Sequence, residues 1–74
     1  MKYYILECTD RKSMKYRVID VTENKHEGFK LCEGLIWRNY MSEHDYNQMS
    51  KMELKRKDSQ EMVKAIERYK EDTK

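Results

Sequence analysis

Seventy-four residues make one domain, close to the size below which a hydrophobic core needs staples. A chain this short cannot build a core and also enclose a substrate cleft of the usual ~300–1,000 Å³, which argues against an enzyme. Sixteen basic and fourteen acidic groups are mixed along the chain, for a net charge of +2, which excludes both a basic nucleic-acid arm and an acidic mimic.

Charged residues outnumber apolar ones, 41% against 38%, so disorder is the first alternative to weigh. The apolar residues argue against it, because they gather in KYYILEC, YRVIDV, GLIWRNYM and EMVKAIERY. No apolar run approaches the ~20 residues of a membrane span, and the N-terminus carries no signal-peptide core. A cytoplasmic protein without a membrane partner is expected, its Cys8 and Cys32 reduced.

In chain order, Lys2 to Cys8 is rich in aromatic and β-branched residues, with Tyr4, Leu6 and Cys8 alternating on one face. That pattern predicts a half-buried strand. The polar TDRKS is a turn. Met14 to Val21 begins a second alternation at Met14, Tyr16 and Val18, and the apolar parity then slips to Ile19 and Val21. A β-bulge, or a strand end covered on both faces, accounts for the slip. The two runs predict an N-terminal hairpin.

Two readings of residues 22–34 stand side by side. Thr22 caps a short helix ending at Gly34 and interrupted by Gly28, or a loop runs to Gly28 and is followed by a strand, Phe29–Cys32, that turns at Glu33–Gly34. The second is preferred. Leu35 to Tyr40 is then a further strand, with Leu35 and Trp37 on one face and Ile36 and Tyr40 on the other.

Ser42 with Asp45 forms a capping box that opens a helix, and Tyr46, Met49, Met52 and Leu54 give it a stripe to about residue 56. Asp58 with Glu61 repeats the signal, and Met62, Val63, Ile66 and Tyr69 follow at spacings of three and four, to about residue 71. With no proline between them, one long kinked helix over 43–71 is the alternative. The fold class predicted is α+β: a small antiparallel sheet of three or four strands, covered by one or two C-terminal helices, in a single domain over 1–74.

Cys8, His26, Cys32 and His44 lack the tight spacing by which a short turn presents two zinc ligands together, so no metal or other cofactor is expected. Neither cysteine has a neighbouring base that would make it a nucleophile, and the carboxylate pairs read as solvated helix faces and helix starts. KYYILECTDRK resembles the opening strand of GIY-YIG-type nucleases. The resemblance covers that strand alone: KYRVIDV stands where the family has its glycine-flanked tyrosine, and the family's catalytic arginine and glutamate have no matching positions. No residue role follows from it.

Two candidate binding features remain. The segment KMELKRK places Lys51, Lys55, Arg56 and Lys57 together, Lys51 and Lys55 on one helix face. It reads as a nucleic-acid contact, or as cations compensating a helix C-terminus near residue 56. The run IWRNYM carries Trp37, Arg38 and Tyr40, the residue types in which binding energy concentrates. For Trp37 the core is the preferred place, under the helices.

The function expected is a small non-enzymatic protein-binding module, an inhibitor or modulator of a larger enzyme or complex. Its style of composition is that of phage accessory proteins. The partner-binding residues expected are Trp37, Arg38, Tyr40, Lys51, Lys55, Arg56 and Lys57, facing an acidic protein surface. Nucleic-acid binding through 51–57 is the alternative, and a homodimer is left open.

Overall fold

The structure, a computed structural model, describes residues 1–73. Aromatic and β-branched residues over Tyr3–Asp10 (β1) and Lys15–Thr22 (β2) form an antiparallel hairpin. Its ladder breaks where Ile5 faces Asp20 but Leu6 faces Val18, leaving Ile19 unpaired. Of the two explanations of the parity slip, this is the bulge, and it lets both Val18 and Val21 pack on the same core. The turn closes with Met14 at φ 55°.

After the hairpin come α1 (Lys25–Cys32), β3 (Arg38–Ser42), α2 (Glu43–Met49) and α3 (Lys57–Asp72). The sheet order is β2-β1-β3, antiparallel throughout, so β1 is central and both neighbours are edges. The class is α+β.

Residues 25–32 form a helix, which corrects the preferred strand over Phe29–Cys32. Asn24 supplies the cap, its Oδ1 accepting from the amides of His26 and Glu27 at 2.9 and 3.3 Å. Gly28 does not break the helix, because it is the point of closest approach to the sheet. A Cβ there would lie 3.4 Å from Ile5 Cδ1 and 3.5 Å from Thr22 Cγ2. The third strand also starts later than expected, at Arg38 rather than Leu35.

Side chains from β1 go both ways. Ile5, fully buried, points toward α1, while Tyr4 and Leu6 join Tyr16, Met41, Met62, Val63, Ala65 and Ile66 under α3. The expected stripe on the last helix is therefore core, with Tyr69 half-buried beside it. Tyr4 meets Tyr46 and Tyr69 edge-on at 6.4 and 6.1 Å. Lys70 in the last turn of α3 lies 4.4 Å over the Tyr46 ring and 3.6 Å from Glu43, fastening the end of α3 to the start of α2.

Ser42 caps α2 as expected, its hydroxyl accepting from the Asp45 amide at 3.1 Å. The helix then stops at Met49 rather than near 56, and 43–71 is not one continuous helix. Tyr46, Met49 and Leu54 still pack on the core, while Met52, expected in the same stripe, is exposed. Gln60 Nε2 donates back to the Leu54 carbonyl and secures the connection. Asp58 does not cap α3; Arg56 occupies the cap position but makes no side-chain bond to the helix amides, and Asp58 accepts from the Arg56 guanidinium and from the Ser59 amide.

Two outcomes follow. Ile66→Ala should cost about 2–5 kcal/mol in urea unfolding, since the side chain has no exposed surface. Gly28→Ala should be neutral or slightly stabilising, with normal contacts and a better helix former, whereas Gly28→Leu should cost ~1–3 kcal/mol by overpacking Ile5.

Burial raises the phenol pKa of Tyr4, Tyr16 and Tyr46 above the ordinary 10.0, with nearby acidic groups adding to it. These phenols ionise more readily in the unfolded chain than in the fold. Their contribution to stability is full below the unfolded value and is lost as pH rises through the raised folded values. Absorbance at 295 nm and circular dichroism, followed together up the alkaline limb, should show late tyrosine ionisation coinciding with loss of fold.

Candidate binding surface

Two successive turns carry the chain from α1 into β3. In the first, the Leu35 amide donates to the Cys32 carbonyl at 3.1 Å, with Glu33 at φ −60°, ψ 129° and Gly34 at φ 75°. That is a type II turn, which needs glycine at its third position. In the second, the Arg38 amide donates to the Leu35 carbonyl at 3.2 Å, so Ile36 and Trp37 occupy the two corner positions. Corner side chains project outward. Ile36 is 78% exposed and Trp37 43% exposed, which corrects the placement of Trp37 in the core.

Trp37 is held by its surroundings even so. Its carbonyl accepts from the Cys8 amide at 2.8 Å, and the Arg11 guanidinium lies 5.7 Å over its ring. With Glu7, Cys8 and Thr9 these two residues line an open groove of about 350 Å³. Among the described residues Arg11 has no carboxylate partner, and Lys12 beside it is exposed.

Arg38 plays a different part. Its Nε lies 3.2 Å from Glu7 Oε2 and its Nη1 donates to the Leu31 carbonyl at 3.1 Å. One guanidinium thereby ties β3 to β1 and to the end of α1. Tyr40 pairs with Ile5 across the ladder, so it shares the α1 face; it is 37% exposed and meets Tyr3 edge-on at 6.5 Å. On α1, at about 100° per residue, Gly28 faces the sheet and Glu27 falls on the flank toward β2, where it accepts from the Thr22 hydroxyl. Phe29 therefore lies on the opposite flank, the side of β3, and it is exposed. Of the six large apolar side chains most open to solvent, four (Phe29, Ile36, Trp37 and Tyr40) fall between residues 29 and 40.

The basic cluster lies elsewhere. Lys51 is in the turn after α2, Lys55 and Arg56 in the connection, and Lys57 is the first residue of α3. Lys51 and Lys55 share no helix face, and no helix C-terminus lies at 56 for these cations to compensate. Arg56 is 2.8 Å from Asp58 and acts on Tyr16, which belongs to the core under α3. Arg38 and Tyr40 face α1, so the sheet stands between them and this cluster. The structure brings Arg11 to Trp37 at the corner, where Ile36 is also exposed, and sets Phe29 on the face that Arg38 and Tyr40 share. Trp37, whose carbonyl pairs with the Cys8 amide, is not joined to Tyr40. Ile36, Phe29 and Arg11 were not named by sequence reasoning.

Among the described residues no group of three His, Cys, Asp or Glu side chains is assembled for a metal. Both cysteines are half-buried free thiols: Cys8 packs with the core under α3 and Cys32 ends α1, on opposite faces of the sheet. Burial raises the Cys32 thiol pKa, which the Arg38 charge only partly offsets, so it is a poor nucleophile. No described helix is long and apolar enough to cross a membrane. No protein-family model, no curated protein and no solved structure matches this chain.

Because Arg38 is occupied within the fold, Arg38→Ala should lower stability by about 1–3 kcal/mol and loosen the end of α1. Urea unfolding gives the first quantity and amide exchange at Leu31–Glu33 the second.

Proposed function

We propose that this chain is a non-enzymatic protein-binding module, an inhibitor or modulator of a larger enzyme or complex. It docks an acidic partner surface at the Ile36–Trp37 corner. The observation that carries the reading is this corner: two large apolar side chains at the tip of a tight turn, exposed, beside an arginine with no carboxylate partner among the described residues. A fold gains nothing by holding Ile and Trp in water, whereas a partner that covers them gains apolar burial around an aromatic anchor. Arg11 and Lys12 at the rim supply charge that speeds encounter with an acidic surface.

A second reading, nucleic-acid binding, is favoured by one observation. Lys55 and Lys57 flank the positive end of the α3 dipole, where cations weaken a helix and a phosphate would relieve them. It ranks lower because Arg56 is already paired with Asp58 and no exposed large aromatic side chain lies within the 51–57 cluster.

The test is affinity capture from lysate, identification by mass spectrometry, and surface plasmon resonance with the purified partner. Trp37→Ala should weaken binding by ~2 kcal/mol or more, about thirtyfold, while Lys55→Glu with Lys57→Glu leaves it unchanged. Equal binding by Trp37→Ala and the wild-type chain would remove this surface. Tight binding to random duplex DNA, steeply salt-dependent and abolished by the lysine changes, would put the second reading first.

A further inference from the structure

We infer that β3 is a self-association edge, through which two copies pair antiparallel about a two-fold axis at Tyr40. The argument begins with hydrogen-bond parity. The Cys8 amide donates to the Trp37 carbonyl and the Glu43 amide to the Lys2 carbonyl, so odd-numbered residues of this stretch turn their backbone groups toward β1. Arg38, Tyr40 and Ser42 turn theirs outward, where the sheet has no further strand. The Arg38 amide is taken by the Leu35 carbonyl, which leaves Tyr40 presenting both a donor and an acceptor. Those are the two groups that a symmetric antiparallel pair exchanges at its centre, each Tyr40 amide donating to the other Tyr40 carbonyl. The Arg38 carbonyl and the Ser42 amide stand in register for a flanking pair, which is weaker because Ser42 is buried.

The chemistry of this edge suits a second copy. Pairing about Tyr40 sets Arg38 opposite Ser42 and Asn39 opposite Met41, so no like charges meet. The Arg38 charge is already satisfied by Glu7. The other edge, β2, carries exposed Lys15 and Arg17 and a bulge, usual protections against edge pairing. β3 has neither lysine nor proline. Its aromatic flank, Phe29 and the Tyr3–Tyr40 pair, would meet its own copy across the axis and cover apolar surface that the monomer leaves in water. A five-residue edge is short of the roughly 1,000 Å² of a stable interface, so the dimer is weak and forms at high concentration. The Trp37 side chain takes no part in it, which separates this interface from the proposed partner surface.

Sedimentation velocity of the full chain across roughly 10 µM to 1 mM tests the inference, the range being set by so small an interface. The wild-type chain and Trp37→Ala should both shift from monomer toward twice the mass. Tyr40→Pro should remain a monomer throughout with its melting transition retained, because the amide it removes points outward, the ring it removes is partly exposed against Tyr3, and proline is tolerated on an edge. A wild-type chain that stays monomeric at the top concentration, or a Tyr40→Pro chain that dimerises equally, overturns the inference. If Tyr40→Pro unfolds, amide exchange on the wild-type chain decides. The Tyr40 amide should slow severalfold between the lowest and highest concentrations while the Ile66 amide does not change. Concentration-independent exchange at Tyr40 overturns the inference.

Discussion

Everything in this fold depends on β1 being covered from both sides. A three-stranded sheet in so short a chain gains little by burying one face alone. Here the central strand sends Ile5 against α1 and Tyr4 and Leu6 against α3. The two helices therefore lie on opposite faces, and residue 28 must be small for α1 to come close enough. The tight seating of α1 has a second result. The chain must leave its C-terminus abruptly to regain the sheet as β3, and it does so through two consecutive turns. Their corner holds Ile36 and Trp37 out from the body of the domain.

The Arg38–Glu7 pair completes that arrangement. It joins residues 31 apart in sequence and also takes up the Leu31 carbonyl near the end of α1. A guanidinium of this kind, planar and always charged, is matched to a carboxylate on one side and a carbonyl on another. It fixes where β3 begins and thus where the exposed corner sits. On the proposed reading, Arg38 belongs to the scaffold of the surface, and Trp37, Ile36 and Arg11 to the face a partner would cover.

Much of the fold was legible in residue order, and the exceptions have physical reasons. The hairpin showed in its alternation, and even the bulge at Ile19 showed as a change of parity. The cap at Ser42 and the three-and-four spacing of Met62, Val63, Ile66 and Tyr69 were equally plain. Gly28 misled because glycine disfavours helix on its own; the gain from close packing on Ile5 and Thr22 is a tertiary effect that propensity does not contain. The early end of α2 had no local signal: Tyr46, Met49 and Leu54 keep a spacing that a continued helix would also have shown. On the surface, Trp37, Arg38 and Tyr40 were recognisable by residue type. Phe29 and Arg11 were not, since nothing local to either says that the fold sets them beside this strand. Gly34 was the available signal for the corner: a glycine two residues before Ile36–Trp37 marks a type II turn, and a turn argues against a buried tryptophan.

The central claim is that the Ile36–Trp37 corner, with Arg11 at its rim, is where a partner binds. Backbone amide chemical shifts, recorded while ¹⁵N-labelled chain is titrated with its purified partner, test it most directly. The account requires the largest changes at residues 35–38 and at 11 and 12, together with the Trp37 indole N–H. Changes concentrated at residues 51–57, with the indole resonance unmoved, would contradict it.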